Sequence, residues 1–201
     1  MQRRLFLAAV AAGLLFAHVP AEAAVTAPDA QKFIENLGDD AISSLTGAGL
    51  SEQVREQRFQ GLLESHFDLP GISKFVLARY WKVATDDQKA QFQTLFEKLL
   101  VQSYAKTFAQ YAGERFQVTG SRANDDGSIG VESHIDRPNG DVIHLDWRIE
   151  DQGGQLRITD LSVEGVSMRI THRSDIASAI QNEGGQVSAL LDALRQKTGS
   201  Q

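Results

Sequence analysis

Two histidines and two carboxylates converge if the stretch from Ser128 to Glu150 folds back as a hairpin. Pairing Ile135 with Ile143 and Val131 with Trp147 keeps one constant register, with Pro138-Asn139-Gly140 as a three-residue loop. That register sets His134 opposite His144 and Glu132 opposite Asp146, on the face away from the apolar residues. Two imidazoles and two carboxylates on adjacent strands are a donor set for a divalent metal. The preferred reading is the solvated face of a strand pair. No HExxH or similar local spacing supports the metal, so none is assigned. Asp160 is the second candidate: in an apolar cavity it would be a general base, and at a strand bulge it would accept hydrogen bonds from backbone amides. A nucleophilic triad is not visible. There is no G-x-S-x-G elbow around Ser167, and Gly153-Gly154 and Gly184-Gly185 lack the flanking pattern of a phosphate loop. The chain has no cysteine, which removes thiolate nucleophiles, disulfides and cysteine-ligated metals together. No catalytic residue and no cofactor is assigned.

The elements that would position these groups are preceded by an address. Arg3 and Arg4 lead an apolar run from Leu5 to Val19, broken only by His18, and Ala21-Glu22-Ala23 is an A-x-A cleavage site. The run is shorter than the roughly 20 residues of a spanning helix. Residues 1–23 therefore read as an export signal and 24–201 as one domain, placed in the periplasm or outside. Arg3-Arg4-Leu5-Phe6-Leu7 fits the core of a twin-arginine signal but lacks the flanking Ser/Thr and Lys, so the general secretory route is preferred. The 201 residues are 42% hydrophobic and 23% charged with a net charge of −6, and removing Arg3, Arg4 and Glu22 leaves the remainder one unit more acidic. Such a chain folds on its own core, is a poor nucleic-acid binder, and is not expected to insert stably into membranes.

The first half has helical periodicity. Phe33 to Leu45 recurs at three- and four-residue steps, and Ser51 caps a second helix carrying Val54, Phe59, Leu62, Leu63 and Phe67. Pro70 starts a short third, and Thr85 with Gln88 forms a capping box for a long fourth. The apolar residues of the fourth, from Phe92 to Tyr111, cover about 220° of its circumference, against about 100° for a helix packed on one side. It must be covered on two sides or line a cavity. The second half alternates with period two over four strands, ending at Val163. Across Gln152-Gly153-Gly154 the expected pairs are Ile149 with Leu156 and Trp147 with Ile158, which requires a bulge near Thr159-Asp160 to return Leu161 and Val163 to the apolar face. Ser174 is expected to cap a helix, and Val187 to Leu194 form a last one, with residues from Lys197 onward fraying. The fold class is α+β: N-terminal helices, a curved antiparallel sheet of about four strands, C-terminal helices, and an apolar cavity between helices and sheet.

Phe75, Tyr80, Trp81, Phe92, Phe96, Tyr104, Phe116 and Trp147 concentrate between the third and fourth helices and the sheet. With Val76, Leu99, Leu100, Val118, Val131, Ile135, Leu145 and Val166 they form the expected lining of a pocket deep enough for acyl chains. The bland alternative is an ordinary core. Two other classes remain open: a small enzyme using Asp160, and an interaction module whose apolar helix binds protein.

Phe75-Val76-Leu77-Ala78-Arg79-Tyr80-Trp81, then Thr85, Gln88, Phe92, Tyr104 and Tyr111-Ala112-Gly113, resembles the MlaC / toluene-tolerance family. So does Leu156-Arg157-Ile158-Thr159-Asp160-Leu161-Ser162-Val163-Glu164-Gly165-Val166-Ser167, followed by Arg173. Ala78 stands where the family usually has Gly, from which no positive φ is expected there. The resemblance implies a periplasmic phospholipid carrier, not an enzyme, that maintains outer-membrane lipid asymmetry. Its implied partners are an inner-membrane ABC transporter with an MCE-domain ring and an outer-membrane lipoprotein–porin complex. A sister branch associated with hopanoids is not separable here. Head-group contact would come from rim cations, with Arg79, Lys82 and Arg173 as candidates.

Overall fold

The computed structural model describes residues 25–47 and 49–199. The expected export signal lies outside the described residues. Helix α1 (Ala27–Leu45) is closed at its start by a capping box between Thr26 and Asp29, α2 (Glu52–His66) by the Ser51 hydroxyl, and α3 (Leu69–Leu77) by Asp68, which accepts from the Gly71 amide at 3.0 Å. A 3₁₀ segment, Ala78–Lys82, leads into α4 (Asp86–Tyr104), which carries the expected Thr85/Gln88 capping box. A second 3₁₀ segment, Ala105–Gln110, follows. The fourth helix therefore stops seven residues short of Tyr111.

Strands β1 (Arg115–Ala123), β2 (Ile129–Asp136), β3 (Val142–Asp151), β4 (Leu156–Val163) and β5 (Val166–Ser167) form one antiparallel sheet in chain order. The β2–β3 register is the expected one throughout, including Ile135 opposite Ile143 and Val131 opposite Trp147. The β3–β4 register is not: Ile149 faces Ile158 and Trp147 faces Leu161. Gly153 and Gly154, with φ of 67° and 83°, take both central positions of a two-residue turn closed by Gln152 and Gln155, and this centres the hairpin one residue later. The bulge itself falls where expected, leaving Thr159 without a cross-strand partner in β3 and turning Leu161 and Val163 inward. The short β5 extends the sheet beyond the four expected strands. It returns across a tight turn at Glu164-Gly165, both at positive φ.

Helices α5 (Met168–Asn182) and α6 (Val187–Thr198) complete the chain. Ser167, not Ser174, caps α5. Ser174 sits inside the helix and donates back to the Ile170 carbonyl at 3.1 Å. Lys197 and Thr198 are helical rather than frayed, and Thr198 is buried. Ala78 has φ of 52° and ψ of −124°, contrary to the expectation of no positive φ at that position. The chain reverses there between α3 and the 3₁₀ segment, and the alanine carries the strain that a glycine would avoid.

Two apolar cores result. In one, Ala30, Ile34 and Leu37 of α1 cover Val131, Trp147, Ile149 and Ile158 of the sheet. In the other, α3, α4, α5 and α6 enclose Phe92, Phe96, Ile180 and Leu190. Each large side chain buried in this way contributes about 1.5–3 kcal/mol. Helix α4 packs along α6 on one side and meets α2 and α3 on the other, which accounts for much of its wide apolar face. The two cores are joined at the α2–α3 junction, where the Asp68 amide donates to the Ile158 carbonyl at 3.0 Å and Phe67 packs against both. No described helix is long and apolar enough to cross a membrane.

Candidate functional site

Between the two cores lies a cavity of about 430 Å³. That is within the range of about 300–1,000 Å³ typical of sites for small ligands. Leu37, Gly38, Ala41 and Ile42 of α1 form one wall, and Phe59, Leu62, Leu63 and Phe67 of α2 another. Leu69 and Ile72 of α3 and Phe96, Leu100 and Tyr104 of α4 continue it. The floor is the sheet: Phe116, Ile135, Ile143, Leu145, Trp147, Leu161 and Val163. Phe108 and Tyr111 close one end, and Met168, Arg169 and His172 of α5 another flank.

The wall depends on close approaches. Gly38 crosses directly over Phe116, and a Cβ at residue 38 would stand 2.3 Å from its Cδ1. Phe116 in turn meets Trp147 edge-on, with ring centroids 6.4 Å apart. The Trp147 indole Nε1 donates to the buried Ser133 hydroxyl at 2.8 Å, so its polar atom is satisfied within the protein.

Polar groups are few and mostly engaged. The Tyr104 hydroxyl lies 3.1 Å from His172 Nε2, and Phe96 meets the imidazole edge-on. Burial pushes the His172 pKa below its ordinary value, against the opposing pull of Asp175, so the ring is neutral at pH 7. Burial likewise pushes the Tyr104 hydroxyl up. The Tyr111 hydroxyl donates to the Glu114 carbonyl at 2.7 Å. Asp160 is the carboxylate at the bulge. It accepts from the Ser167 hydroxyl at 2.6 Å and from the Leu161 and Arg169 amides at 2.9 and 3.1 Å. Three donors on one carboxylate favour a fixed structural anchor for the start of α5 over a free base.

The register does set His134 opposite His144 and Glu132 opposite Asp146. Yet His134 lies 3.4 Å from Asp136, and His144 3.4 Å from Glu164, each paired locally. Among the described residues no three such side chains gather as a metal site.

Of the residues expected to line the pocket, Phe96, Leu100, Tyr104, Phe116, Ile135, Leu145 and Trp147 do so. The others do not. Val76 and Phe92 point into the helical core, and Leu99 packs against it. Val131 is sealed beneath α1 in the sheet core, with Val118 packed beside it. Phe75, Tyr80 and Trp81 pack on the outer side of the helical core, and Val166 is exposed. The rim candidates also move. Arg79 donates to the Tyr80 hydroxyl at 2.8 Å, Lys82 is exposed away from the cavity, and Arg173 stacks on Phe75 at 5.1 Å. The cations that do border the cavity are Arg137 and Arg169. Arg137 is exposed, so the cavity reaches the surface at the end of β2. The α1 and α2 walls were missed because periodicity marks an apolar face without saying which layer it meets.

A family model described as "MlaC protein" matches residues 35–196. The toluene tolerance protein ttg2D of Pseudomonas putida is 27% identical over 126 residues, covering 62% of this chain and 59% of that protein. The intermembrane phospholipid transport system binding protein MlaC of Haemophilus influenzae is 27% identical over 97 residues, covering 46% and 45% respectively. The chain thus spans less than two thirds of the length of either curated relative. A solved structure of a phospholipid-binding protein from Ralstonia solanacearum, in complex with a phospholipid, superposes with a TM-score of 0.76 at 25% identity. That match covers 85% of this chain and 97% of the other.

Proposed function

This chain belongs to the MlaC family, and on that premise we propose that it is a phospholipid carrier which holds acyl chains in the cavity between its two cores. The observation that carries the reading is the lining itself: helices and sheet present hydrocarbon to a space that neither core fills. Each methylene moved from water into such a space contributes about 0.8 kcal/mol, so a stretch of about ten carbons gains about 8 kcal/mol before ordering costs. The phospholipid in the superposable Ralstonia protein supports the same ligand class.

Residues 1–23 act as a cleavable export signal, and residues 24–201 work in the periplasm as one domain. The carrier exchanges lipid with an inner-membrane ABC transporter bearing an MCE-domain ring and with an outer-membrane lipoprotein–porin complex. An acidic chain adsorbs poorly to anionic lipid, which suits brief docking on protein partners. The engagement of Asp160 by three donors supports carriage over catalysis. The test is native mass spectrometry of freshly purified protein followed by lipid extraction. About one bound phospholipid per chain is expected, and a hopanoid in its place would redirect the reading to that branch. Protein that neither co-purifies with lipid nor takes it up from vesicles refutes it.

A further inference from the structure

Arg169 enters the cavity wall from the first turn of α5, where most of its neighbours are hydrocarbon. Its Nε is buried and has no hydrogen-bond partner among the described residues. The nearest carboxylate oxygen, Asp160 Oδ2, stands 3.7 Å away, too far for a hydrogen bond, and that carboxylate already accepts from Ser167 and two amides. The inner edge of the guanidinium is thus ion-paired to Asp160, while its terminal nitrogens have no protein acceptor among the described residues and the side chain stays partly exposed. The guanidinium is held in place: it lies 4.3 Å over the Phe75 ring, which Arg173, one turn on, shares at 5.1 Å. Asp160 faces Arg169 from β4, and Asp175 lies within electrostatic reach of His172 on the same helix.

We propose that Arg169 receives the head group of the bound amphiphile, the open end of its guanidinium taking an anionic oxygen while the tail lies among Phe96, Leu100 and Trp147. The inference rests on the carrier reading and deepens it, because it selects amphiphiles whose anion sits at the depth of the first turn of α5. A phosphodiester and a carboxylate share the required chemistry: an oxygen anion with a free lone pair, joined to a hydrocarbon tail. Arg137 borders the same cavity but is exposed at the end of β2, without aromatic stacking to fix its guanidinium among the described residues.

The test compares three probes on the purified full chain by displacement of a neutral, polarity-sensitive fluorescent dye: oleate, oleoyl lysophosphatidylglycerol, and oleyl alcohol, which has the same tail and no anion. Arg169→Met should weaken an anionic probe about tenfold or more, the size of a hydrogen bond to a charged group, and leave oleyl alcohol unchanged. Arg169→Lys, which keeps charge but loses the planar guanidinium fork, should fall between. Arg79→Met, away from the cavity, should change neither. Because the readout is the ratio of anionic to neutral affinity within one variant, partial unfolding cancels. A loss confined to the lysophospholipid identifies the phosphodiester, and one confined to oleate the carboxylate. An unchanged ratio in both Arg169 variants overturns the proposal. Wild-type protein that binds oleyl alcohol but no anionic probe also overturns it and spares the cavity reading. Failure to bind any of the three refutes the carrier reading and this assignment with it.

Discussion

Substituting Gly38 by Ala is the sharpest probe of the cavity wall. Gly38 lies in mid-α1, where alanine ordinarily stabilises a helix by about 1 kcal/mol. The new Cβ would stand 2.3 Å from Phe116 Cδ1 and 2.5 Å from Cε1. Ordinary contact begins near 3.4 Å, so the ring must retreat by roughly 1 Å. It cannot retreat outward through α1. It can move into the cavity that it lines. In the empty protein the ring has that space, so its displacement and the propensity gain nearly cancel, and stability should change by less than about 1 kcal/mol. In the loaded protein the ring competes with ligand. Overpacking costs of about 1–3 kcal/mol then appear as affinity, a loss of about fivefold to a hundredfold. Gly61→Ala is the control: it is mid-helix in α2, with nothing within 4 Å of the new Cβ. It should raise the melting temperature by about 2–4 °C and leave binding untouched. Thermal melts of delipidated protein, with titration of a fluorescent fatty acid, read both quantities. If Gly38→Ala stabilises as much as Gly61→Ala and binds like wild type, Phe116 is not fixed between α1 and the ligand, and the wall is misassigned.

Ala78→Gly should stabilise the protein by about 1 kcal/mol in urea melts, since relief of a strained positive φ exceeds the added chain entropy; no gain would mean the alanine is unstrained there. His172 is neutral because burial lowers its folded pKa below the unfolded value near 6.5. Its contribution is therefore fully present above that value and lost as pH falls toward the folded pKa, so the melting temperature of His172→Phe should fall less than wild type between pH 7.5 and 5. Equal slopes would assign the acid sensitivity elsewhere. Leu161→Trp, filling the cavity from β4, should abolish lipid uptake with the fold intact by circular dichroism. Val131→Asp should unfold the protein instead, because Val131 is sealed in the sheet core. A folded Val131→Asp protein would contradict that burial.

The elements were legible because each is written locally. Thr85 with Gln88, Ser51, Pro70 and the period-two strands needed no distant contact to be read, and the β2–β3 register followed from its apolar pairs. The errors came where a neighbour decides. The β3–β4 register turned on which residues of Gln152-Gly153-Gly154-Gln155 occupy the turn. Ser174 has the right type for a cap, but Ser167 takes the role because Asp160 fixes that point of the chain. Val76, Phe92 and Val131 are apolar for the sake of two cores, and pattern cannot separate a core face from a cavity face. Arg169 was invisible for the opposite reason: a cation ahead of a helix expected to start at Ser174 reads as a solvated position until it is seen at the cavity wall beside Asp160.

The structure divides the wide apolar arc of the fourth helix between a core face and a cavity face. Leu95 and Val101 belong to the core shared with α6, whereas Phe96, Leu100 and Tyr104 border the cavity. A one-core protein of this composition would close α4 onto the sheet. Here α1 occupies the sheet surface that α4 would need, and Phe67 at the α2–α3 junction is a shared contact. The Asp68 amide bond to the Ile158 carbonyl ties the two cores at one edge, and each core is otherwise packed within its own layer. The space between them is therefore maintained by the stability of its walls. A carrier requires this condition, because its pocket must persist through the interval when the lipid has left.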